Sequence, residues 1–368
     1  MVQKKHLKIL AVILKYDYGD IDSGISLEKR YFEPALIKNC NEYYRFYYDV
    51  FLDKNALKEL QTSIKNHADK FKPDIIFFNL LRDEISFETL DYLKKRYKTV
   101  NWFSDDHWRF DTFTKDYAPH FTYSITTYEP VIEKYNGLET IPILASWGVD
   151  EVRDNIDNPK YKYDVSFVGS KSKERERIIK YLKKNNINVH TFGSGWDNGR
   201  VSFEEMKKIF FESKINLNLS NSQFAIKNYL IDKCLRIIHS NNITDYIFGL
   251  LYIFLPRNRD DKFDPKVHDV RTFFRARANI KNKESLKARH FEICGAGGFQ
   301  LSFPSEDLES CFDKNEVGTF NYNKIVYDIN LFIEYNEYRN DIRKRGYEKV
   351  KKNYTYDKIF KRIIEEIK

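Results

Sequence analysis

The segment from Glu284 to Gly298, ESLKARHFEICGAGG, gathers the residue types that recognise a sugar nucleotide. A carboxylate at the inner end of a helix accepts both hydroxyls of a ribose. Lys287 and Arg289 nearby neutralise a diphosphate, and Gly295, Gly297 and Gly298 let backbone N–H groups approach it. The competing reading is a helix that ends in a glycine-rich C-cap with its charges in solvent. A second cluster, Trp102-Phe103-Ser104-Asp105-Asp106-His107-Trp108, sets two carboxylates and an imidazole directly after an apolar run. General-base chemistry on an acceptor hydroxyl needs such a group at the end of a strand, and Asp106 ranks ahead of His107 and Asp105. Alternatively, a carboxylate caps the following segment and His107 satisfies a backbone carbonyl. Gly193-Ser194-Gly195-Trp196 closes another strand where ligands bind in open αβ sheets; there Trp196 either stacks on a base or packs. Gly24 and Ser26, in the loop after the first strand, would let an acceptor approach backbone, or form a plain turn with Ser26 as a helix cap.

These residues depend on elements whose order is legible. Strand-like apolar runs alternate with helix-like periodic ones, which predicts an α/β protein with parallel sheets. Leu7–Leu14, Tyr43–Phe51, Asp74–Asn79, Thr99–Phe103, Phe121–Thr126 and Thr140–Leu144 are the expected strands of one Rossmann-like unit, 1–148. The stretch EVRDNIDNPKYK reads as a linker, and a second unit, 149–368, follows with strands at Asp164–Gly169, Val189–Phe192, Lys214–Ser220 and Phe299–Phe303. Pro34 inside LEKRYFEPALIKN predicts a kink or a late helix start. Ser202 and Glu205 form a capping-box pattern, and helices are expected to end the chain, the last two over 337–368.

With 14 Gly and 9 Pro among 368 residues and 42% hydrophobic residues, the chain is a folded globular protein and not a linker or tail. Four cysteines, Cys40, Cys234, Cys294 and Cys311, lack metal-ligand spacing and fit a reducing compartment, so a cytoplasmic location is expected. The apolar run after the first basic residues reads as a strand rather than a signal peptide. No segment approaches the roughly 20 apolar residues that span a bilayer. Residues 221–283 are an irregular insert. Within Pro256–Arg289 the chain holds eleven Lys or Arg against five Asp or Glu, most of the formal net charge of +8. Tyr246–Arg289 would meet a membrane surface from the cytoplasmic side, or pack as a helical hairpin.

YDVSFVGS, FGSGW, SFEEMKKIFFESKINLNLS, LKARHFEICGAGGFQLS and RGYEKVKKNYTYDKIF, in that order, resemble the CgeB-like glycosyltransferases of GT-B fold. KPDIIFFN and WFSDDHWRF extend the likeness into the first half, while 221–283 falls outside the common pattern. The resemblance implies two Rossmann-like domains facing across a cleft, the second holding a nucleotide-sugar donor and the first an acceptor. It implies Glu292 as the ribose ligand, and Glu284, in a Glu-x7-Glu spacing, near the sugar, with a lean toward retention of configuration. Arg175, then Lys171 and Ser170, in the loop after the second unit's first strand, would face the diphosphate. It also implies neither a metal nor a cofactor.

The function expected from these readings is transfer of a sugar from a nucleoside diphosphate to a glycan or lipid-linked glycan. Polynucleotide binding through the basic insert, DNA glycosylation, and a non-catalytic scaffold that binds nucleotide sugar are the alternatives. No recognised nucleic-acid module accompanies the insert.

Overall fold

The computed structural model describes residues 6–52, 56–219 and 285–367. The expected insert and Glu284 lie outside the described residues.

The first sheet consists of β1 (Lys8–Ile13), β2 (Glu42–Tyr47), β3 (Ile75–Phe78), β4 (Lys98–Phe103), β5 (Tyr123–Thr126) and β6 (Ile141–Leu144). Its order is β2-β1-β3-β4-β5-β6, all parallel, with Ile9 registered between Tyr43 and Ile75. A parallel sheet is covered on both faces, and the uninterrupted apolar run Ile9–Ile13 is accordingly buried throughout. One face, with Leu10, Val12 and Phe78, packs on α2 (Leu57–Phe71) and α3 (Phe87–Lys94) through Leu60, Ile64 and Leu90. The other, with Ala11, Phe77 and Trp102, receives α1 (Glu33–Lys38). Helical backbone begins at Leu27, Glu28–Phe32 forms a π-turn and α1 continues from it with Pro34 in its first turn, so Pro34 marks an irregularity within the helix rather than a late start. A short helix, α4 (Asp106–Arg109), follows β4.

The second sheet contains β7 (Tyr163–Val168), β8 (Val189–Phe192), β9 (Ser213–Asn218), β10 (Gln300–Ser302) and β11 (Gly318–Thr319), in the order β11-β10-β9-β7-β8. Helix α5 (Lys173–Lys184) starts where Ser172 Oγ accepts the Arg175 N–H at 3.2 Å, and α6 (Phe203–Phe211) where Ser202 Oγ accepts the Glu205 N–H at 3.1 Å. Each such cap is worth about 1 kcal/mol. Then come α7 (Ala288–Gly295), α8 (Glu306–Cys311), α9 (Ile325–Glu334) and α10 (Asn336–Asn353).

The last helix is α11 (Tyr356–Ile367). It leaves the second sheet and packs on the first, where Phe360 meets Phe32 at 5.2 Å, Phe77 at 5.4 Å and Trp102 at 5.9 Å between ring centroids. Lys98 Nζ and the Tyr123 hydroxyl donate to its terminal carbonyl at Ile367. The chain therefore crosses between the halves twice. The two crossings pair: Val149 N–H donates to Tyr354 O at 2.9 Å and Tyr356 N–H to Val149 O at 2.8 Å.

Strand order reverses beside β1 in the first sheet and beside β7 in the second. Crevices for ligands open at such switch points, beyond the carboxyl ends of the strands. The β4 end of the first sheet lies at the boundary between the halves, where Asp105 meets Lys287.

Candidate functional site

On the second half, the site is built on α7. Lys287 is extended (φ −132°, ψ 160°) and caps the helix. Its N–H donates to Nδ1 of His290 at 3.1 Å, so an imidazole takes the place that Glu fills in a capping box. His290 is enclosed, with Nε2 3.1 Å from Ser302 Oγ, and burial pushes its pKa down to about 4. It is a neutral cap. One turn along, Arg289 Nη1 pairs with Glu292 Oε2 at 2.8 Å, while the guanidinium lies against Met206 Sδ and over the Phe210 ring at 5.3 Å. The Glu292 side chain is 12% exposed. Its other oxygen, Oε1, accepts the Tyr31 hydroxyl at 2.8 Å. Tyr31 comes from the π-turn of the first half, beside Arg30, whose guanidinium stacks over Phe203 at 5.0 Å.

From the β4 end of the first half, Asp105 reaches across to Lys287, with Oδ1 2.6 Å from Nζ. Asp105 is in the left-handed region (φ 63°), which costs a non-glycine residue about 1 kcal/mol or more and recurs at functional sites. Burial works to raise the Asp105 pKa, but the Lys287 ammonium outweighs it, with His107 and Arg109 adding to the effect. The carboxyl is held well below the usual range. His107 lies alongside, its Nδ1 4.0 Å from Asp105 Oδ1 and its Nε2 3.5 Å from Ser285 Oγ on the opposite half. Burial and the Lys287 charge push its pKa down to about 4, so the ring is neutral at pH 7 and keeps one nitrogen as a hydrogen-bond acceptor.

Asp106, ranked first from sequence, does not face this boundary. It is 1% exposed; Thr114 Oγ1 donates to Oδ1 at 2.6 Å and the Tyr135 hydroxyl to Oδ2 at 2.7 Å. Burial pushes its carboxyl up to about 6. The residue anchors α4 within the first half, because the left-handed turn at Asp105 sends successive side chains in opposite directions. Ser26 is also enclosed, donating to Leu14 O at 2.7 Å and accepting the Lys29 N–H at 3.1 Å, which makes it the cap of the π-turn rather than an acceptor contact. Gly24, at φ 87°, is exposed with open space around it.

The glycine turn after α7 packs instead of facing the cleft. Gly297 and Gly298 N–H groups donate to Cys294 O and Ile293 O, both at 2.9 Å, so neither is open to a phosphate. Gly297 has φ 74°, and a Cβ there would stand 2.5 Å from Ile156 Cγ2. Gly295 lies against Val149, and Gly298 against the Phe210 carbonyl. The glycines thus form the packed cap of α7, while Arg289 and Glu292 on the same helix are paired and largely enclosed rather than in solvent.

The loops after β7 and β8 clasp each other. Lys171 N–H donates to Ser194 O at 2.8 Å, and Gly193, at φ 124°, passes so close to Gly169 that a Cβ would lie 2.3 Å from its carbonyl oxygen. Trp196 Nε1 donates to that same oxygen at 2.9 Å, and its ring meets the edge of Phe167, so Trp196 packs the loop. Arg175 donates to Leu219 O at 3.0 Å and Ser170 O at 2.8 Å, binding its own loops together. Lys171 is exposed, 3.3 Å from Glu176 and over the Trp196 ring.

Two residues, Tyr31 at the boundary and Glu28 within the first half, escaped the sequence reading. Tyr31 sits in a π-turn whose register no helical periodicity marks. Glu28, three residues earlier, bonds Asn79 Nδ2 at the end of β3, and burial, with Asp17 and Asp49 nearby, pushes its carboxyl up to about 7. A carboxylate in the first turn of the helix expected after Ser26 was the available signal. Among the described residues no group of three His, Cys, Asp or Glu side chains is placed to hold a metal ion, and no helix is long and apolar enough to cross a membrane.

Comparison with known proteins gives this architecture its class. The chain has the GT-B fold, two Rossmann-like sheets facing across a cleft. It superposes on HepE from Anabaena, solved in complex with UDP-glucose, at a TM-score of 0.58 and 10% identity, covering 98% of this chain and 99% of that one. A glycosyltransferase from Rickettsia africae ESF-5 gives 0.56 at 9% identity, covering 99% and 98%. Sucrose-phosphate synthase from Thermosynechococcus elongatus gives 0.54 at 10% identity, covering 98% of each. A family profile described as "Glycosyl transferase-like" matches residues 267–365. No curated protein matches the sequence.

Proposed function

We propose that the chain is a glycosyltransferase that moves a sugar, hexosyl or related, from a nucleoside diphosphate to a hydroxyl of a glycan or lipid-linked glycan, in the manner of the CgeB-like enzymes and of cell-surface polysaccharide synthesis. The observation that carries this reading is the set Lys287, Arg289 and Glu292 on one helix, presented to the other half of a GT-B fold. Glu292 takes the ribose hydroxyls by exchanging its bond with Tyr31. Lys287 and Arg289 hold the diphosphate and the negative charge that grows on it as the sugar leaves. Neutral His107, or Asp105 once Lys287 turns to the phosphates, receives the acceptor proton. The acceptor oxygen bonds the anomeric carbon as the bond to the phosphate oxygen breaks. Lys171 and Ser170 are the cleft-side contacts left to the β7 loop, and the reaction needs neither metal nor cofactor. A cytoplasmic enzyme peripheral on a membrane, with the basic insert as its contact, fits an acceptor carried on lipid.

Thermal unfolding with UDP, GDP, ADP, dTDP and CMP, in the wild type and in Glu292→Ala, tests the donor side. A ligand at 100 times its dissociation constant adds about 2.7 kcal/mol, a shift of a few degrees. One nucleotide should stabilise the wild type and not the variant. Stabilisation by none of them overturns the reading.

A further inference from the structure

A cavity of about 370 Å³ opens between the halves, beyond the carboxyl ends of β5 and β6. That volume falls in the range of small-molecule sites, about 300 to 1,000 Å³. Leu286 forms part of its wall, and the residues on either side of Leu286 are the ones that meet the first half: Ser285 beside His107, and Lys287 on Asp105. Leu286 thus joins the cavity, along the chain, to Ser285 beside the proposed base and to the cation assigned to the leaving group.

Its lining has a definite chemistry. Leu144, Ile359 and Ile363 give an apolar wall. Among the described residues its lining includes three carboxyls, Glu129, Asp307 and Glu366, and one cation, Arg362, whose Nη2 also donates to Asn353 O at 3.3 Å; the Lys287 charge also acts on Asp307. Asp307 is 7% exposed and accepts the Leu286 N–H; burial first, then Glu306 and Glu129, pushes its carboxyl up to about 6. Ser146 Oγ is enclosed in the same wall with no hydrogen-bond partner among the described residues. Buried hydroxyls are ordinarily bonded, so this one is disposed toward a guest. A surplus of carboxylates repels phosphate and accepts O–H and N–H donors. An apolar wall beside them suits the C–H face of a sugar ring.

We propose that this cavity seats the acceptor, and that the acceptor unit it holds is an uncharged or amino-bearing carbohydrate and not a phosphorylated one. The assignment rests on the transferase reading for its role, and on the cavity alone for its ligand chemistry.

Ligand-observed saturation-transfer NMR tests it on the full-length chain. The probes are methyl glycosides of glucose, galactose and mannose, their 2-amino forms, and glucose 6-phosphate. Members of the first two groups should bind, with glucose 6-phosphate weaker by about tenfold or more, the loss of roughly one hydrogen bond to a charged group. Ser310→Trp places bulk on an exposed position of the rim and should abolish that binding while the nucleotide-induced thermal shift stays at its wild-type value. Asp307→Asn should narrow the gap between phosphorylated and neutral probes. Failure of every neutral and amino glycoside to bind, equal binding in Ser310→Trp, or preference for glucose 6-phosphate overturns the proposal. Glycoside binding lost in Ser310→Trp, in a protein that no nucleotide stabilises, would leave the cavity a carbohydrate site and remove the transferase role.

Discussion

The Tyr31 hydroxyl donates to Oε1 of Glu292 across 2.8 Å, joining residues 261 positions apart and drawn from opposite halves of the fold. Arg289 holds the other oxygen, so the carboxylate assigned to the ribose is already doubly bonded within the protein. A ribose must therefore compete with a tyrosine. Tyr31→Phe keeps the ring that stacks on Tyr356 and edges Phe203, and removes only the hydroxyl. It should lower stability by about 1 kcal/mol and tighten nucleoside diphosphate binding severalfold by calorimetry. Weaker binding in this variant would sink the exchange.

Lys287→Met separates the diphosphate contact from the ribose contact. Affinity for a nucleoside diphosphate should fall by about tenfold or more, while affinity for the bare nucleoside stays put. The same variant has a pH signature. Because the folded Asp105 pKa is depressed, its pairing stabilises the wild type above the unfolded carboxylate pKa of about 4 and is lost as pH falls below that. Urea midpoints of wild type and Lys287→Met should differ at neutral pH and converge in acid.

His107 and His290 both have folded pKa values pushed down to about 4, below the unfolded value. The unfolded chain therefore binds protons first. Wild-type stability should decline as pH drops from about 6.5 toward about 4, a slope reduced in His107→Asn. If His107 receives the acceptor proton, its turnover should show an acid limb near pH 4. The Asn variant should lose about 10² to 10⁴ in kcat with the nucleotide thermal shift unchanged.

Gly297→Ala distinguishes a packing turn from a phosphate loop. The left-handed backbone and the Ile156 contact should make it cost about 1 to 3 kcal/mol in urea unfolding. Nucleotide affinity of the folded variant should equal that of the wild type. A stable variant with weakened nucleotide binding would return the turn to the donor site.

Phe360→Ala empties a position enclosed by Phe32, Phe77 and Trp102. A loss of about 3 to 5 kcal/mol is expected, read by urea unfolding. The sharpest rise in hydrogen exchange should fall in β1, β3 and β4 of the first half, although the mutated helix ends the chain.

What the sequence determined by itself was local. Apolar runs such as Ile9–Ile13 and Ile75–Phe78 specify buried parallel strands, Ser172 and Ser202 start their helices, and Pro34 accompanies the π-turn before α1, because each effect acts over a few neighbouring residues. The order of those elements and the resemblance of their motifs led to the GT-B fold. Only the tertiary structure decided between neighbours of like chemistry: Asp105 meets Lys287 while Asp106 turns inward to Thr114 and Tyr135. That choice hangs on one left-handed residue, which composition does not encode. Likewise α11 carries an amphipathic stripe that would suit either sheet. It lies on the first, where the paired crossings at Val149 and Tyr354 deliver it, packed on the buried rings of Phe32 and Trp102. Contacts between residues hundreds of positions apart, such as Tyr31 with Glu292, come from that placement and leave no periodic trace in the chain.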